Sequence, residues 1–137
     1  MVKTLQEKYD YNFHIIKLKD KLCEKEMINF MLKCDIAISG GGQTTYELAR
    51  CGIPTIGICY ANNQLLNLKY GEKAGYLKFA GWFENKHLLY NIKRLFKSFD
   101  YVERSRMNII GKKLVDGQGG LRIVNKLIKE YEYTFSH

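Results

Sequence analysis

The stretch Asp35–Gln64 constrains the fold of this chain more than any other part of the sequence. It reads as strand, glycine turn, helix, strand and polar loop, with the two strands placed at Asp35–Ser39 and Thr55–Cys59. Short apolar runs of this kind are typical of buried parallel strands. The helix between them should end at about Cys51, because Gly52 suits the left-handed residue that follows a helix. This order predicts an α/β domain with a parallel sheet and flanking helices.

Weaker patterns on either side extend the prediction. Apolar residues recur there at strand or helix spacing between charged and glycine-containing turns. They predict strands over Asn12–Leu18 and Tyr76–Ala80, the end of a helix over Val2–Tyr9, and helices over Glu26–Cys34, Leu65–Lys73, Glu84–Phe99, Tyr101–Val115 and Leu121–Tyr131. The C-terminal third is therefore expected to be helical. Its last helix has an apolar face formed by Val124, Leu127, Ile128 and Tyr131.

Two loops follow the carboxyl ends of the two central strands. Ligands of open α/β sheets bind beyond those ends, so both loops are expected to face one crevice. A helix that starts after a glycine turn presents unpaired backbone N–H groups and the positive end of its dipole, which suits a phosphate group. Threonine hydroxyls at the same place add donors. The residues that we predict at this position are Gly41, Gly42, Gln43, Thr44 and Thr45.

Polar side chains complete the predicted site. Glu47 lies in the first turn of the helix, where its carboxylate can accept hydrogen bonds from a sugar diol. Asn62, Asn63 and Gln64 carry amide groups that both donate and accept, which suits a ligand rich in hydroxyl groups. Together with the glycine turn, they indicate a nucleotide-sugar site.

Each part of this site also has a purely structural interpretation. Thr44 and Glu47 match the capping box S/T-x-x-E, which needs no ligand. The glycines are compatible with a plain turn, and the Asn-Asn-Gln run with a solvated loop. Farther along, Asp116–Gly120 either binds an anion at the start of the last helix or is a turn between helices. Trp82 either stacks on a base or packs under an aromatic loop at Gly81–Phe83.

Residues 39–49 (SGGGQTTYELA), with the Gly-Ile-Pro at 52–54 and the Asn-Gln pair at 63–64, carry a family resemblance. They resemble the C-terminal lobe of GT-B glycosyltransferases of the family that includes the peptidoglycan GlcNAc transferase MurG. The chain is more similar to the PseG/SpsG branch, which comprises UDP-sugar hydrolases of pseudaminic acid synthesis and spore-coat polysaccharide proteins. The resemblance covers about Glu24–Tyr131, is specific over the central stretch, and includes Asp116, Gly117, Gly119 and Arg122.

The resemblance implies a Rossmann-like GT-B lobe that binds a UDP-sugar. In that family the glycine–helix turn faces the diphosphate, the helix glutamate contacts the ribose, and the Asn-Gln pair faces the sugar. These roles fall here on Gly41–Thr45, on Glu47, and on Asn63 with Gln64. The segment at about Cys23–Met27 is implied to help frame the uracil.

The chain also departs from the family. A complete lobe of this kind begins with a further strand and glycine loop. In the hydrolase branch, the resemblance implies that an N-terminal lobe carries the water-activating histidine. Residues 1–137 show no pattern for either, and His14, His87 and His137 lie in no matching motif. Residues 1–137 are therefore expected to form a single nucleotide-sugar-binding domain without catalytic residues. Such a domain would need an N-terminal lobe or a partner subunit for turnover.

Composition narrows the class of protein. With 46% apolar residues the chain is expected to be globular. Its net charge of +8 attracts polyanions or nucleotide phosphates, but no nucleic-acid motif accompanies it. It has neither a signal-peptide pattern nor a membrane-spanning apolar run, so we expect a cytoplasmic protein. The spacing of its cysteines favours reduced thiols over a metal site or disulfides: Cys23, Cys34, Cys51 and Cys59.

Other nucleotide-binding classes fit less well. Gly40 and Gly42 match G-x-G-x-x-G, but Thr45 occupies the third glycine position and no acid lies near residue 60, so NAD binding is disfavoured. There is no P-loop motif and no G-x-S-x-G elbow. We expect no cofactor besides a UDP-sugar substrate. Two hypotheses stand: part of a UDP-sugar hydrolase or glycosyltransferase, or a non-catalytic α/β binding or assembly module. Pairing with a second copy is an open alternative.

Overall fold

A computed structural model describes residues 12–16, 20 and 22–135 of the chain. Within them, helices and strands alternate up to the last strand and helices follow. The order is α1 (Glu24–Leu32), β1 (Ala37–Gly40), α2 (Thr44–Cys51), β2 (Thr55–Cys59), α3 (Asn62–Ala74), β3 (Leu77–Trp82), α4 (Leu88–Lys97), α5 (Tyr101–Leu114) and α6 (Gly119–Phe135).

The three strands form one parallel sheet in the order β1-β2-β3. Thr55 pairs with both Ala37 and Leu77 near the amino ends, and Cys59 pairs with Trp82 near the carboxyl ends. All five residues of β2 are buried, as expected of a central strand covered on both faces. The predicted α/β fold with a parallel sheet and flanking helices is confirmed. Because the strands are parallel, their carboxyl ends lie at one edge.

Side chains on the two faces of the sheet enter two apolar clusters, since successive strand residues point to opposite faces. Ile56 and Ile58 of β2 pack with Ile92 of α4 in one cluster. Cys59 of β2 packs with Leu68 of α3 in the other. Ile56, Ile58, Cys59, Leu68 and Ile92 are each at most 1% exposed. The helices therefore cover both faces, which fixes the loops that leave the carboxyl edge.

Two glycines end helices, and for Gly52 the sequence predicts this place. Gly52, after α2, has φ 76°, and Gly75, after α3, has φ 93°. Both angles lie in the left-handed region that glycine adopts without steric cost. A third glycine, Gly111, lets α5 approach α2 closely, because a Cβ there would lie 2.7 Å from the carbonyl oxygen of Ala49.

Several predicted boundaries are wrong. Residues 12–16 form no strand, since the described strands of the sheet pair only with one another. Ile15 and Ile16 are accordingly 51% and 42% exposed. Strand β3 continues through Gly81 to Trp82, where the prediction placed a loop. Helix α4 begins at Leu88 instead of Glu84, since Asn85 accepts a hydrogen bond from the His87 amide in a turn.

The C-terminal helix differs from its prediction in burial. It is longer than predicted, and none of its side chains is buried. Val124, Leu127, Ile128 and Tyr131 are 50–65% exposed. The predicted helix end over Val2–Tyr9 and the last part of the Asn12–Leu18 strand lie outside the described residues.

Candidate functional site

The glycine turn joins the carboxyl end of β1 to the start of α2. The Gly41 amide donates to the Ile58 carbonyl at 3.1 Å, which ties the turn to the neighbouring strand. The amides of residues 45–47 donate back to carbonyls of the turn. The backbone amides in between have no acceptor in the described part of the chain: Gly42, Gln43 and Thr44. Successive unpaired N–H groups at a helix start form an anion-binding arrangement.

The glycines of the turn have different surroundings. A Cβ at Gly41 would lie 2.6 Å from Leu68 Cδ1 and 3.0 Å from the Cβ of Gln64, so glycine there allows α3 to pack against the turn. A Cβ at Gly42 would meet nothing within 4 Å. Gly42 is thus the glycine that a ligand can approach, whereas Gly41 serves packing. Neither has a positive φ, so the turn does not depend on left-handed backbone.

The capping-box interpretation of the helix start does not describe α2. The N-cap residue is Gln43, in helical geometry and without a side-chain cap hydrogen bond, and Thr44 is already the first helical residue. The carboxylate of Glu47 is left without a hydrogen bond to any described residue, and its residue is exposed. Glu47 therefore remains able to accept hydrogen bonds from a ligand.

The two threonines are not equivalent. Thr44 is exposed, whereas Thr45 is 0% exposed and its hydroxyl donates to the Gly42 carbonyl at 2.8 Å. The Thr45 hydroxyl is thus already used within the turn. This arrangement shapes the turn without making the hydroxyl a donor at the surface.

Asn67, which sequence reasoning missed, also holds the turn. Its Nδ2 donates to the Gly41 carbonyl at 2.7 Å and to Thr45 Oγ1 at 3.0 Å, with a longer contact of 3.4 Å to the Gly42 carbonyl. Its Oδ1 is buried and has no hydrogen-bond partner among the described residues. The carbonyl acceptors fix which way the amide points. Asn67 therefore links α3 to the backbone that carries the unpaired amides.

The predicted polar loop after β2 is the first turn of α3. Asn62 and Asn63 are exposed there, and Gln64 is half-buried. The Tyr60 amide donates to Gln64 Oε1 at 3.1 Å, which leaves Gln64 Nε2 as a donor. Since the Gln64 Cβ lies close to Gly41, this turn adjoins the glycine turn. Two helix starts therefore meet at the carboxyl edge of the sheet.

An aromatic pair lies at the same edge. The rings of Tyr60 and Phe83 stack with centroids 5.2 Å apart and an interplanar angle of 23°, and the two residues are 50% and 47% exposed. The Phe83 amide donates to the Cys59 carbonyl at 2.9 Å. Trp82, for which base stacking was one alternative, instead packs half-buried against the cluster that contains Leu68.

The Asp-Gly-x-Gly-x-x-Arg run has internal partners. Asp116 pairs with Arg122 at 2.6 Å and accepts a hydrogen bond from the Gln118 amide at 2.9 Å. These contacts hold the pKa of Asp116 down at about 2, mainly through Arg122. These contacts favour the interpretation as a turn between helices over an anion site.

At the predicted uracil-framing segment, the Cys23 amide donates to Glu26, which lowers the pKa of that carboxyl.

Within the described residues, no group of three or more His, Cys, Asp or Glu side chains is arranged to hold a metal ion. All four cysteines are free thiols, and of these Cys59 is buried and Cys23 exposed. Among the described helices, none combines the length and apolar character that a membrane crossing requires.

Comparison with known proteins finds a distant relative. The chain is 30% identical, over 137 aligned positions, to a Helicobacter pylori protein named pseudaminic acid cytidylyltransferase and UDP-2,4-diacetamido-2,4,6-trideoxy-beta-L-altropyranose hydrolase. The alignment covers 89% of this chain and 24% of that protein, so the chain spans about a quarter of its relative. No protein-family model matches the chain. No solved structure matches it significantly. The chain is therefore distantly related to part of that protein.

Proposed function

We propose that this chain is the UDP-sugar-binding part of a UDP-sugar hydrolase or glycosyltransferase in nonulosonic acid or surface polysaccharide biosynthesis. One observation carries the proposal. The successive amides of Gly42, Gln43 and Thr44 have no acceptor in the described chain and lie where the carboxyl ends of the strands meet. A diphosphate supplies the acceptors and the negative charge that such a helix start favours.

The surrounding side chains support a nucleotide sugar over a simple anion. Glu47 lies one turn into α2 with an uncommitted carboxylate, suited to the ribose hydroxyls. Asn63 and the Nε2 of Gln64 lie at the adjoining helix start, suited to a sugar. The distant relative is named for a hydrolase of a UDP-linked, acetamido-bearing deoxy sugar. We assign the binding of such a UDP-sugar to this chain, and its resemblance to GT-B lobes supports the assignment.

In this proposal the chain acts by binding and by electrostatic stabilisation. Negative charge grows on the diphosphate as UDP leaves the sugar, and preorganised amides at a helix start stabilise that charge. We assign no catalytic residue within the chain. The base that activates water, or the acceptor of a transferred sugar, belongs to an N-terminal lobe or a partner subunit.

Calorimetric titration with UDP tests this function. We expect binding, and we expect Glu47→Ala and Asn63→Ala each to weaken it by about tenfold or more, as for loss of hydrogen bonds that involve a charged or buried group. Glu130→Ala is the matched control, because Glu130 is an exposed glutamate on α6. Uridine, which lacks the phosphates, should bind far more weakly than UDP. Absence of UDP binding at millimolar concentration would contradict the proposal.

A second candidate is a non-catalytic α/β assembly module. The exposed apolar face of α6, with Val124, Leu127, Ile128 and Tyr131 all at least half exposed, favours it. In this role the fold would serve association while the glycine turn remained unoccupied. The same UDP titration separates the two functions, because an assembly module binds no UDP.

A further inference from the structure

We propose that the stacked pair Tyr60–Phe83 is the subsite for the sugar ring, and that it selects sugars with a large apolar face. This inference rests on the proposed UDP-sugar function and adds its sugar specificity. Neither residue belongs to the predicted set of ligand-binding residues.

The two aromatic residues lie at the carboxyl edge of the sheet. Tyr60 follows β2 directly and Phe83 follows β3, so both lie at the edge where the unpaired amides are. A Cβ on Gly40 would lie 3.3 Å from Cδ2 of Tyr60, which puts that ring beside the strand end that leads into the glycine turn. The Tyr60 amide also holds Gln64 Oε1. The aromatic pair, the Gln64 carboxamide and the glycine turn are therefore contiguous.

The stacked pair is partly exposed to solvent. Two stacked aromatic residues that are each about half exposed, 50% and 47%, retain apolar ring surface in contact with solvent. Their neighbour Trp82 is instead packed against the apolar cluster under the sheet. The pair is thus presented at the edge, whereas the tryptophan serves the core.

Chemistry decides the occupant. A sugar has two kinds of surface, hydroxyl or amide groups around its rim and C–H groups on its faces. Asn63 and Gln64 match the rim. The aromatic pair matches a face, and the match improves where hydroxyls are replaced by hydrogen or methyl, or where the methyl of an acetamido group extends the apolar area, because more apolar area is then removed from water. The proposed occupant is therefore a deoxygenated or N-acetylated pyranose linked to UDP.

Competing ligands test the subsite by calorimetry. In the wild type, UDP-N-acetylglucosamine should bind more tightly than UDP. Tyr60→Ala and Phe83→Ala should each remove about fivefold or more of that advantage, the scale of a lost apolar contact face. Both should leave affinity for UDP and for inorganic pyrophosphate unchanged. Tyr60→Phe keeps the ring and should behave as the wild type.

Tyr101→Ala is the matched control, because Tyr101 at the start of α5 is 77% exposed and lies near Asp35 and Pro54, at the opposite edge of the sheet where the strands begin. Circular dichroism spectra confirm that each variant is folded. Loss of UDP affinity along with that for the UDP-sugar would assign the aromatic pair to the base and overturn the sugar assignment. Unchanged affinity for UDP-N-acetylglucosamine would overturn it as well. A wild type that binds neither pyrophosphate nor UDP would overturn the proposed function, and this inference with it.

Discussion

At the scale of single residues, the candidate site contains two sets of groups. One set holds the shape of the turn, and the other set is available to a ligand. Gly41, Thr45 and Asn67 use their space and hydrogen bonds within the protein. The backbone amides of Gly42 and Gln43 and the carboxylate of Glu47 make no hydrogen bond to the described residues. A substitution can therefore affect folding or binding selectively, depending on which set it enters.

The two adjacent glycines should respond oppositely to alanine. Gly41→Ala places a methyl group 2.6 Å from Leu68 and should cost about 1–3 kcal/mol of the free energy of unfolding, as overpacking does. Gly42→Ala meets open space at a negative φ and should leave stability unchanged or raise it by a few tenths of a kcal/mol. Urea unfolding of both variants measures the difference. Equal stability of the two variants would show that α3 does not pack against the turn as described.

Asn67 should matter for ligand binding beyond its effect on stability. Asn67→Ala removes the amide that holds the Gly41 carbonyl and Thr45 Oγ1, so the unpaired amides lose their fixed position. UDP affinity should fall by about fivefold to tenfold, while stability falls by about 1 kcal/mol. Asn91→Ala is the control, because it removes a similar 2.9 Å bond to the Ala80 carbonyl. It should lower stability alike but leave UDP affinity intact; an equal loss of affinity in both would contradict the positioning role.

At the scale of elements, short-range patterns determined what could be predicted. The apolar run of β2, the glycine after α2 and the spacing of α5 are local signals, and the corresponding elements form where the sequence predicts them. The start of α3 was predicted as a loop because Asn-Asn-Gln carries no local helix signal. Its first turn is held by a local hydrogen bond from the Tyr60 amide to Gln64 Oε1 and by the packing of Gln64 beside Gly41, a contact between elements that the sequence does not show.

The same limit applies to the site. Asn67 carries no motif, and its acceptors at Gly41 and Thr45 are 26 and 22 residues earlier in the sequence. Tyr60 and Phe83 become neighbours only through the pairing of β2 with β3. The roles of Glu47, Asn63 and Gln64 toward a ligand stay predictions, for which the structure supplies positions.

An ion-pair cluster that joins β3 to α5 should make stability depend on pH. Glu103 contacts Lys78 at 2.9 Å and Arg106 at 2.8 Å. Hydrogen bonds from Arg106 and then Lys78 lower its pKa from 4.5 to about 2. A lowered folded-state pKa gives stability that is fully present above pH 4.5 and is lost as pH falls toward 2.

Chemical unfolding measured across that pH window tests the cluster. The wild type should lose about 1 kcal/mol more than Glu103→Gln as the pH falls, allowing for partial screening by solvent. Glu130→Gln is the control, because Glu130 is an exposed glutamate on α6 outside the cluster and its replacement should change the pH dependence little. Identical pH dependence of the wild type and Glu103→Gln would contradict the role of the cluster.

At the scale of the molecule, the described chain has a packed α/β body and a helix that contributes no buried side chain to it. Helix α6 has 17 residues and an apolar face, although most helical stability in proteins comes from packing such a face against other elements. Its sequence periodicity predicted the face correctly but carries no information on what covers it. The stability of the body should therefore be independent of α6.

Truncation after Gln118 tests this independence. Removing residues 119–137 should change the melting temperature by less than about 3 °C, because no buried side chain is lost. It should also raise solubility, since the exposed apolar face is removed. Thermal unfolding followed by circular dichroism gives the comparison. A fall in melting temperature well beyond that range would mean that α6 packs on the body in solution.

The most direct test of the account is nitrogen-15 amide spectroscopy of the full chain during titration with UDP. We predict that the largest shifts fall on the amides of Gly42, Gln43 and Thr44, since these N–H groups have no acceptor in the described structure. Inorganic pyrophosphate should shift the same amides and uridine should not. Saturating UDP that leaves these three resonances in place, or shifts only surface lysine regions, would contradict the assignment of this helix start as a diphosphate site.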